Sequence, residues 1–248
     1  QGSRISLTEA GKLLLEHCER ILEDYKRLEY EMHLLHNEYT GGLKLGASTT
    51  VAQYVLPPLL ASFIGKFPHV NLSLLNGNSR EIEAALQEHR IDLGFVEGVF
   101  RLPNIKYTTF LKDELVAVVR TGSKLAIGEE ITPEELLHLP LVLRERGSGT
   151  LDVFERALQQ HNIKLSSLQV LMYLGSTESI KLFLEHTDCL GIVSIRSITR
   201  ELYSGQLRVV EIKDMPMLRD FSFAQPQGQE SGLAQVFMQF AMHYNNKL

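Results

Sequence analysis

The chain has 248 residues, 44% hydrophobic and 22% charged, a composition that supports a large buried core in one domain or two small lobes. Its 25 Lys and Arg are outnumbered by 30 Asp and Glu, and a formal charge of −5 excludes a nucleic-acid surface spread over the chain, though not a local one on a neighbouring segment. No run approaches the ~18 apolar residues of a membrane span, and no close Cys/His pairing suggests a metal site. Cys18 and Cys189 both lie in apolar surroundings and read as packed free thiols of a reducing cytoplasm. No signal peptide is legible; Gln1-Gly2-Ser3 reads as a vector-derived remnant, so the natural protein is expected to be longer.

A helix is predicted from Ser3 to Tyr39. Leu7, Leu14, Ile21, Leu28 and Leu35 recur at intervals of seven, with mostly apolar residues four positions after each. That seam suits pairing with a partner helix. At 1.5 Å per residue the helix would run roughly 48 Å, longer than a small domain needs, so the seam is expected in a subunit interface. Thr40-Gly41-Gly42 stops it.

Leu43–Ala47 alternates like a strand, and Val51–Phe67 reads as a helix that Pro57 and Pro58 kink or split. Val70–Leu75 is a strand, Arg80–His89 a helix, and Ile91–Val96 a buried strand. Ile105–Arg120 holds two strand-like runs around Lys112-Asp113-Glu114. Thr132-Pro133-Glu134-Glu135 is a capping box opening a short helix to Leu139. Then come a strand at Leu141–Leu143, a helix at Leu151–Asn162, a strand at Leu168–Leu174 and a helix at Glu178–His186. A strand at Cys189–Val193, a weaker helix at Ser194–Tyr203, strands at Leu207–Ile212 and Phe221–Ala224, and an amphipathic helix at Ser231–Tyr244 close the chain. The order β-α-β occurs twice, before and after about Lys112, which implies parallel sheets covered by helices and a cleft at their carboxyl ends.

Three junctions share one character. Ser48-Thr49-Thr50, Gly147-Ser148-Gly149-Thr150 and Gly175-Ser176-Thr177 each follow a predicted strand and open a predicted helix. Unpaired N–H groups, a positive dipole end and small hydroxyls favour an anionic, oxygen-rich guest. Each junction taken alone reads more readily as an ordinary N-cap, and the case rests on three of them in a two-lobed arrangement. Gly147 and Gly149 would let the backbone approach a ligand closely. Arg144 and Arg146 are anion partners by type, but they alternate along a strand end, so at most one faces the cleft, and exposure is the default for arginine. Glu97 reads as a solvated loop residue rather than a ligand acceptor. No nucleophile elbow, P-loop or GxGxxG is present, and no nucleophile has a base at readable spacing, so neither catalysis nor a cofactor is expected.

Arg4-Ile5-Ser6-Leu7-Thr8-Glu9-Ala10-Gly11 running into the long helix resembles the linker of LysR-type transcriptional regulators. So do Leu43 to Ser48, Leu56-Pro57-Pro58-Leu59-Leu60, Phe67-Pro68, Ile91 to Phe95, Arg144 to Thr150 and Leu190 to Ser194, in order along nearly the whole chain. The resemblance implies an α/β, two-lobed, periplasmic-binding-protein-like (type 2) domain preceded by a long linker helix. Residues 1–41 would be the end of the wing and the dimerisation helix, and 42–248 the effector-binding domain. Lobe I would be about 42–111 with 213–248, and lobe II about 112–212. It further implies homodimers or homotetramers, a cytoplasmic location away from membranes, and a small carboxylate or other oxyanion effector held by Ser48, Thr49, Thr50 and Gly147, Ser148, Gly149, Thr150, with Ser176 and Thr177 as further candidates. Promoter DNA would be met only through an N-terminal reader absent from this chain. Two rivals stay open: a transporter's solute-binding protein, which has no use for a heptad helix, and a small α/β enzyme, which needs a catalytic constellation.

Overall fold

The computed structural model describes residues 7–36, 39–98, 101–125, 127–228 and 232–245. Helix α1 spans Glu9–His36, about 42 Å at 1.5 Å per residue. It begins at Glu9 rather than Ser3 because Thr8 caps it, its hydroxyl accepting from the Gly11 N–H at 3.1 Å; residues 3–6, where the predicted helix starts, lie outside the described residues. On this single chain Leu14, Ile21 and Leu28 are 65%, 66% and 56% exposed, and Leu7 is exposed too. The side chain of Leu35 lies outside the described residues. Cys18 is exposed on α1, not packed as expected; Cys189 is buried.

The remaining elements follow in order: β1 (Gly41–Ser48), α2 (Thr49–Tyr54), α3 (Leu56–Lys66), β2 (Val70–Gly77), α4 (Ser79–Gln87) and β3 (Leu93–Glu97), then β4 (Ile105–Arg120), β5 (Glu130–Ile131) and β6 (Pro140–Arg144). After these come α5 (Gly149–Gln160), β7 (Gln169–Leu174), α6 (Thr177–His186), β8 (Leu190–Ser194), α7 (Thr199–Tyr203), β9 (Leu207–Ile212), β10 (Met217–Pro226) and α8 (Gly232–Asn245). Pro57 and Pro58 split the helix predicted over Val51–Phe67: they open α3, where a missing N–H costs nothing, and Val55 marks the break. The capping box at Thr132–Glu135 forms, with Glu135 accepting from the Thr132 N–H at 2.6 Å, but the helix is only a 3₁₀ turn, Glu135–His138.

The strands make one mixed sheet in the order β2-β1-β3-β10-β4-β8-β6-β7, with β9 beside β4 and β5 beside β9. β1 pairs parallel with β2 and β3, and β6 with β7 and β8. These are the two β-α-β units. Between them β10 runs antiparallel to both β3 and β4. Residues 105–120 form one strand, not two runs. The charged triplet stays extended because β10 pairs it residue by residue, Lys112 with Asp220, Asp113 with Arg219 and Glu114 with Leu218. β10 also begins at Met217, four residues before the expected Phe221, so the β4–β10 ribbon passes from one β-α-β unit to the other.

Alternate strand residues serve opposite faces. Leu141 and Leu143 pack with Phe154 and Leu158 of α5, whereas Val142 packs with Ile180 and Leu184 of α6. In the first unit Phe63, Phe95, Phe223 and Phe237 form an aromatic core, with Phe63–Phe237 centroids 4.8 Å apart and Phe95–Phe223 5.0 Å apart. The carboxyl ends of β1, β3 and β6 come together around one region.

Candidate functional site

All three hydroxyl-rich junctions stand at strand ends that open helices: β1 into α2, β6 into α5 and β7 into α6. Two behave as caps. The Ser148 hydroxyl accepts from the Thr150 N–H at 3.2 Å, and the Ser176 hydroxyl accepts from the Ser179 N–H at 3.1 Å. Ser48 does not. It is 1% exposed, yet its Oγ has no hydrogen-bond partner among the described residues.

Arg144 ends β6 buried at 1% exposure, contrary to the default for arginine. Its Nη2 donates to Thr49 Oγ1 at 3.3 Å and to the Gly175 carbonyl at 3.3 Å, and its Nε donates to Glu145 at 2.8 Å. Its Nη1 is buried without a partner among the described residues. Strand alternation does not separate the two arginines, since residues two apart share a face; β6 ends at Arg144, and Arg146 falls in the turn before α5, exposed and 3.6 Å from Glu155.

Glu97, expected as a solvated loop residue, is instead the buried last residue of β3, with its side chain 1% exposed. An apolar run ending in a carboxylate looks like a strand leaving the core; here partners 47, 53 and 122 positions away keep it inside. Its Oε1 accepts from Thr50 Oγ1 at 3.3 Å and from Thr150 Oγ1 at 3.4 Å. Its Oε2 lies 3.1 Å from Arg219 Nη1. That contact is an ion pair without hydrogen-bond alignment, since Nη1 donates to Thr150 Oγ1 at 2.9 Å. Arg219 Nε donates to Asp113 at 2.7 Å, and Asp113 also accepts from Ser194 Oγ at 2.7 Å.

The structure thus joins Thr49 with Arg144, and Thr50 with Thr150 through Glu97. Arg219 and Asp113 belong to the same network. The glycines approach the chain itself rather than a ligand. A Cβ on Gly149 would sit 2.3 Å from the Glu97 carbonyl oxygen, and Gly147 adopts φ +92° while its carbonyl accepts from the Arg80 N–H at 3.3 Å. Ser176 makes no hydrogen bond to this network; Thr177 is buried beside it in sequence, and only the Gly175 carbonyl reaches Arg144. At the rim Tyr54 of α2 donates to Glu178 of α6. Lys181 holds Glu178 and Glu201 at 2.7 Å each. Burial, then the Glu178 hydrogen bond and charge, push the Tyr54 hydroxyl far above the ordinary tyrosine range.

A separate open depression of about 410 Å³ lies along the ribbon, lined by Lys112, Asp113, Glu114, Ile195, Arg196, Thr199 and Leu218. Asp113 is its only residue in common with the strand-end network. The buried, unpartnered polar atoms mark the candidate site better than this exposed hollow, because each costs free energy until a guest satisfies it.

A family model, the LysR substrate binding domain, matches residues 36–245. YeiE of Escherichia coli K12, described as an uncharacterized HTH-type transcriptional regulator, is 33% identical over 211 residues, covering 85% of this chain and 69% of that protein. The CcmR regulatory domain of Synechocystis PCC6803, solved in complex with 2-PG, superposes with a TM-score of 0.75 at 27% identity, over 84% of this chain and 99% of that one. The effector-binding domain of QuiR, solved with shikimate, superposes at 0.74 with 20% identity, over 84% and 99%, and speaks for the fold alone.

Proposed function

Because the chain belongs to the LysR family of transcriptional regulators and carries the family's effector-binding domain, we propose that the strand ends of β1 and β6 hold a small oxyanion and that this cleft is the sensory site. The observation that carries the reading is the pair of buried donors without partners, Ser48 Oγ and Arg144 Nη1. A hydroxyl and a guanidinium with free N–H groups suit a carboxylate or other oxyanion. The oxyanion 2-PG in the CcmR domain supports the same chemistry here.

The lobes are taken as 42–111 with 213–248, and 112–212. In support, the fully buried residues of the aromatic cluster come from the first set, and the buried cluster around Phe154 draws on the second together with Met215 and Met217. The chain senses rather than turns over its ligand, in the cytoplasm, as a homodimer or homotetramer joined through the Leu7, Leu14, Ile21, Leu28 and Leu35 seam. DNA contact falls to a reader domain on the N-terminal side of α1. Among the described residues no helix is long and apolar enough to cross a membrane. An effector acts by preferring one arrangement of lobes or subunits over another.

The test is Ser48→Ala. A thermal-shift panel of acetate, sulfate, inorganic phosphate, small hydroxy acids and 2-PG identifies a binder, and calorimetry measures it. Removing an unpartnered buried hydroxyl should leave the melting temperature unchanged or raise it, while binding falls by about tenfold, or 1.4 kcal/mol. Unchanged affinity in Ser48→Ala, or no binder in the panel, overturns the reading.

A further inference from the structure

The strand-end network holds four buried side-chain atoms without hydrogen-bond partners among the described residues: Ser48 Oγ, Arg144 Nη1, Glu97 Oε2 and Arg219 Nη2. They form two chemically different pairs. Arg144 only donates and the Ser48 hydroxyl can donate beside it, which suits an anionic oxygen that accepts from both. Glu97 Oε2 only accepts and Arg219 Nη2 only donates, and these two side chains are already 3.1 Å apart at Glu97 Oε2 and Arg219 Nη1. One acceptor beside one donor is the complement of a hydroxyl, which donates through its hydrogen and accepts through its lone pairs. A second carboxylate there would face the Glu97 carboxylate, an ammonium would face the Arg219 guanidinium, and a methyl would satisfy neither atom.

The pairs are neighbours because consecutive residues of α2 connect them. Thr49 Oγ1 accepts from Arg144 at 3.3 Å, and Thr50 Oγ1 donates to Glu97 at 3.3 Å.

We propose that the effector is a small hydroxy acid. Its oxyanion sits on Ser48 and Arg144, and its hydroxyl sits between Glu97 and Arg219. Glu97 is then the residue that determines specificity, accepting the hydroxyl proton and repelling a second negative group. The inference rests on the cleft being the effector site and adds which oxyanions it takes.

The experiment uses the full chain with matched acids. Glycolate, lactate, 3-hydroxybutyrate and 4-hydroxybutyrate are titrated beside acetate, propionate and butyrate, with malonate, succinate and 2-PG as dianions. At least one hydroxy acid should bind about tenfold or more tighter than its deoxy partner, and tighter than every dianion. In Glu97→Gln, which keeps an oxygen for Thr50 and Thr150 and replaces the other with a donor, that preference should collapse to within about twofold. If Glu97→Gln lacks a cooperative melt, Glu97→Asp, which keeps the charge but withdraws it, should also lose the preference. Hydroxy and deoxy acids binding alike, a dianion binding tightest, no hydroxy acid binding at all, or a folded Glu97 variant that keeps the preference each overturns the proposal. The two readings fail separately. If all acids bind alike and Ser48→Ala weakens them all, the anion site stands and the hydroxyl pair does not. If Ser48→Ala changes nothing, the cleft reading falls and takes this one with it.

Discussion

Arg219 and Asp113 face each other in register across the β4–β10 ribbon, Nε to Oδ2 at 2.7 Å, with neither side chain exposed. The guanidinium also reaches Glu97 at 3.1 Å, so one buried cation is shared by two buried carboxylates. Arg219→Leu leaves Glu97 without its cation and Asp113 with only Ser194 and the more distant Arg196 at 3.7 Å, and removing one partner of a buried ion pair costs about 3–5 kcal/mol. Urea unfolding should show that loss. Glu97→Gln should cost clearly less, because Arg219 keeps Asp113. Equal losses for the two substitutions would mean that Asp113 does not compensate the arginine.

The rim contact carries a pH signature. Burial first, then the hydrogen bond to Glu178, raises the Tyr54 hydroxyl above its unfolded value of about 10. Tyr107 is likewise pushed up, to about 12, by burial and its bond to Glu83. A raised folded-state pKa means the stabilisation is complete below about pH 10 and is lost as pH climbs through the folded values. Tyr54→Phe should therefore lower stability at neutral pH by about 1 kcal/mol and flatten the decline above pH 10. Stability curves from pH 7 to 11 check both limbs; an alkaline decline as steep as the parent's would exclude Tyr54 as a source.

The exposed seam of α1 should close an interface. Ile21→Lys with Leu28→Lys places two charges on residues 66% and 56% exposed in the isolated chain, so folding of the domain should be untouched. Sedimentation velocity should show a smaller assembly, as should deletion of residues 1–40. An unchanged assembly state in both would place the contact elsewhere.

Gly149 is where the two β-α-β units meet backbone to backbone. Gly149→Ala puts a Cβ 2.3 Å from the Glu97 carbonyl oxygen, and nothing flexible can yield there. The substitution should cost about 1–3 kcal/mol. It should also speed amide exchange around Ser79, whose hydroxyl donates to that same carbonyl at 2.9 Å. Unaltered exchange would mean the strain is absorbed within α5.

The caps and strand ends were legible because their signals are local: hydroxyls and glycines between an apolar run and an amphipathic one mark a strand-to-helix junction wherever they occur. Pro57-Pro58 broke its helix for the same kind of reason. What could not be read is whatever depends on register. Arg219 lies 106 positions from Asp113, and only the pairing of β4 with β10 brings them together. Lys112-Asp113-Glu114 looked like a break because charged triplets usually mark loops, and Glu97 looked solvated because its partners come from distant segments. The sole early hint for Arg219 was its spacing, two residues from both Met217 and Phe221, which places it on their buried face once the strand is extended backwards.

The uninterrupted length of α1 has a mechanical consequence. The helix is about 42 Å long and is separated from β1 by only residues 37–40. Such a rod converts angle into distance: a tilt of about 10° at the sensory end sweeps the far end by about 7 Å. That displacement is about two base-pair steps of duplex DNA. On the proposed reading, in which α1 joins two chains and leads to a DNA reader, a small change of angle at its β1 end would be enough to alter the DNA spacing that the pair can span.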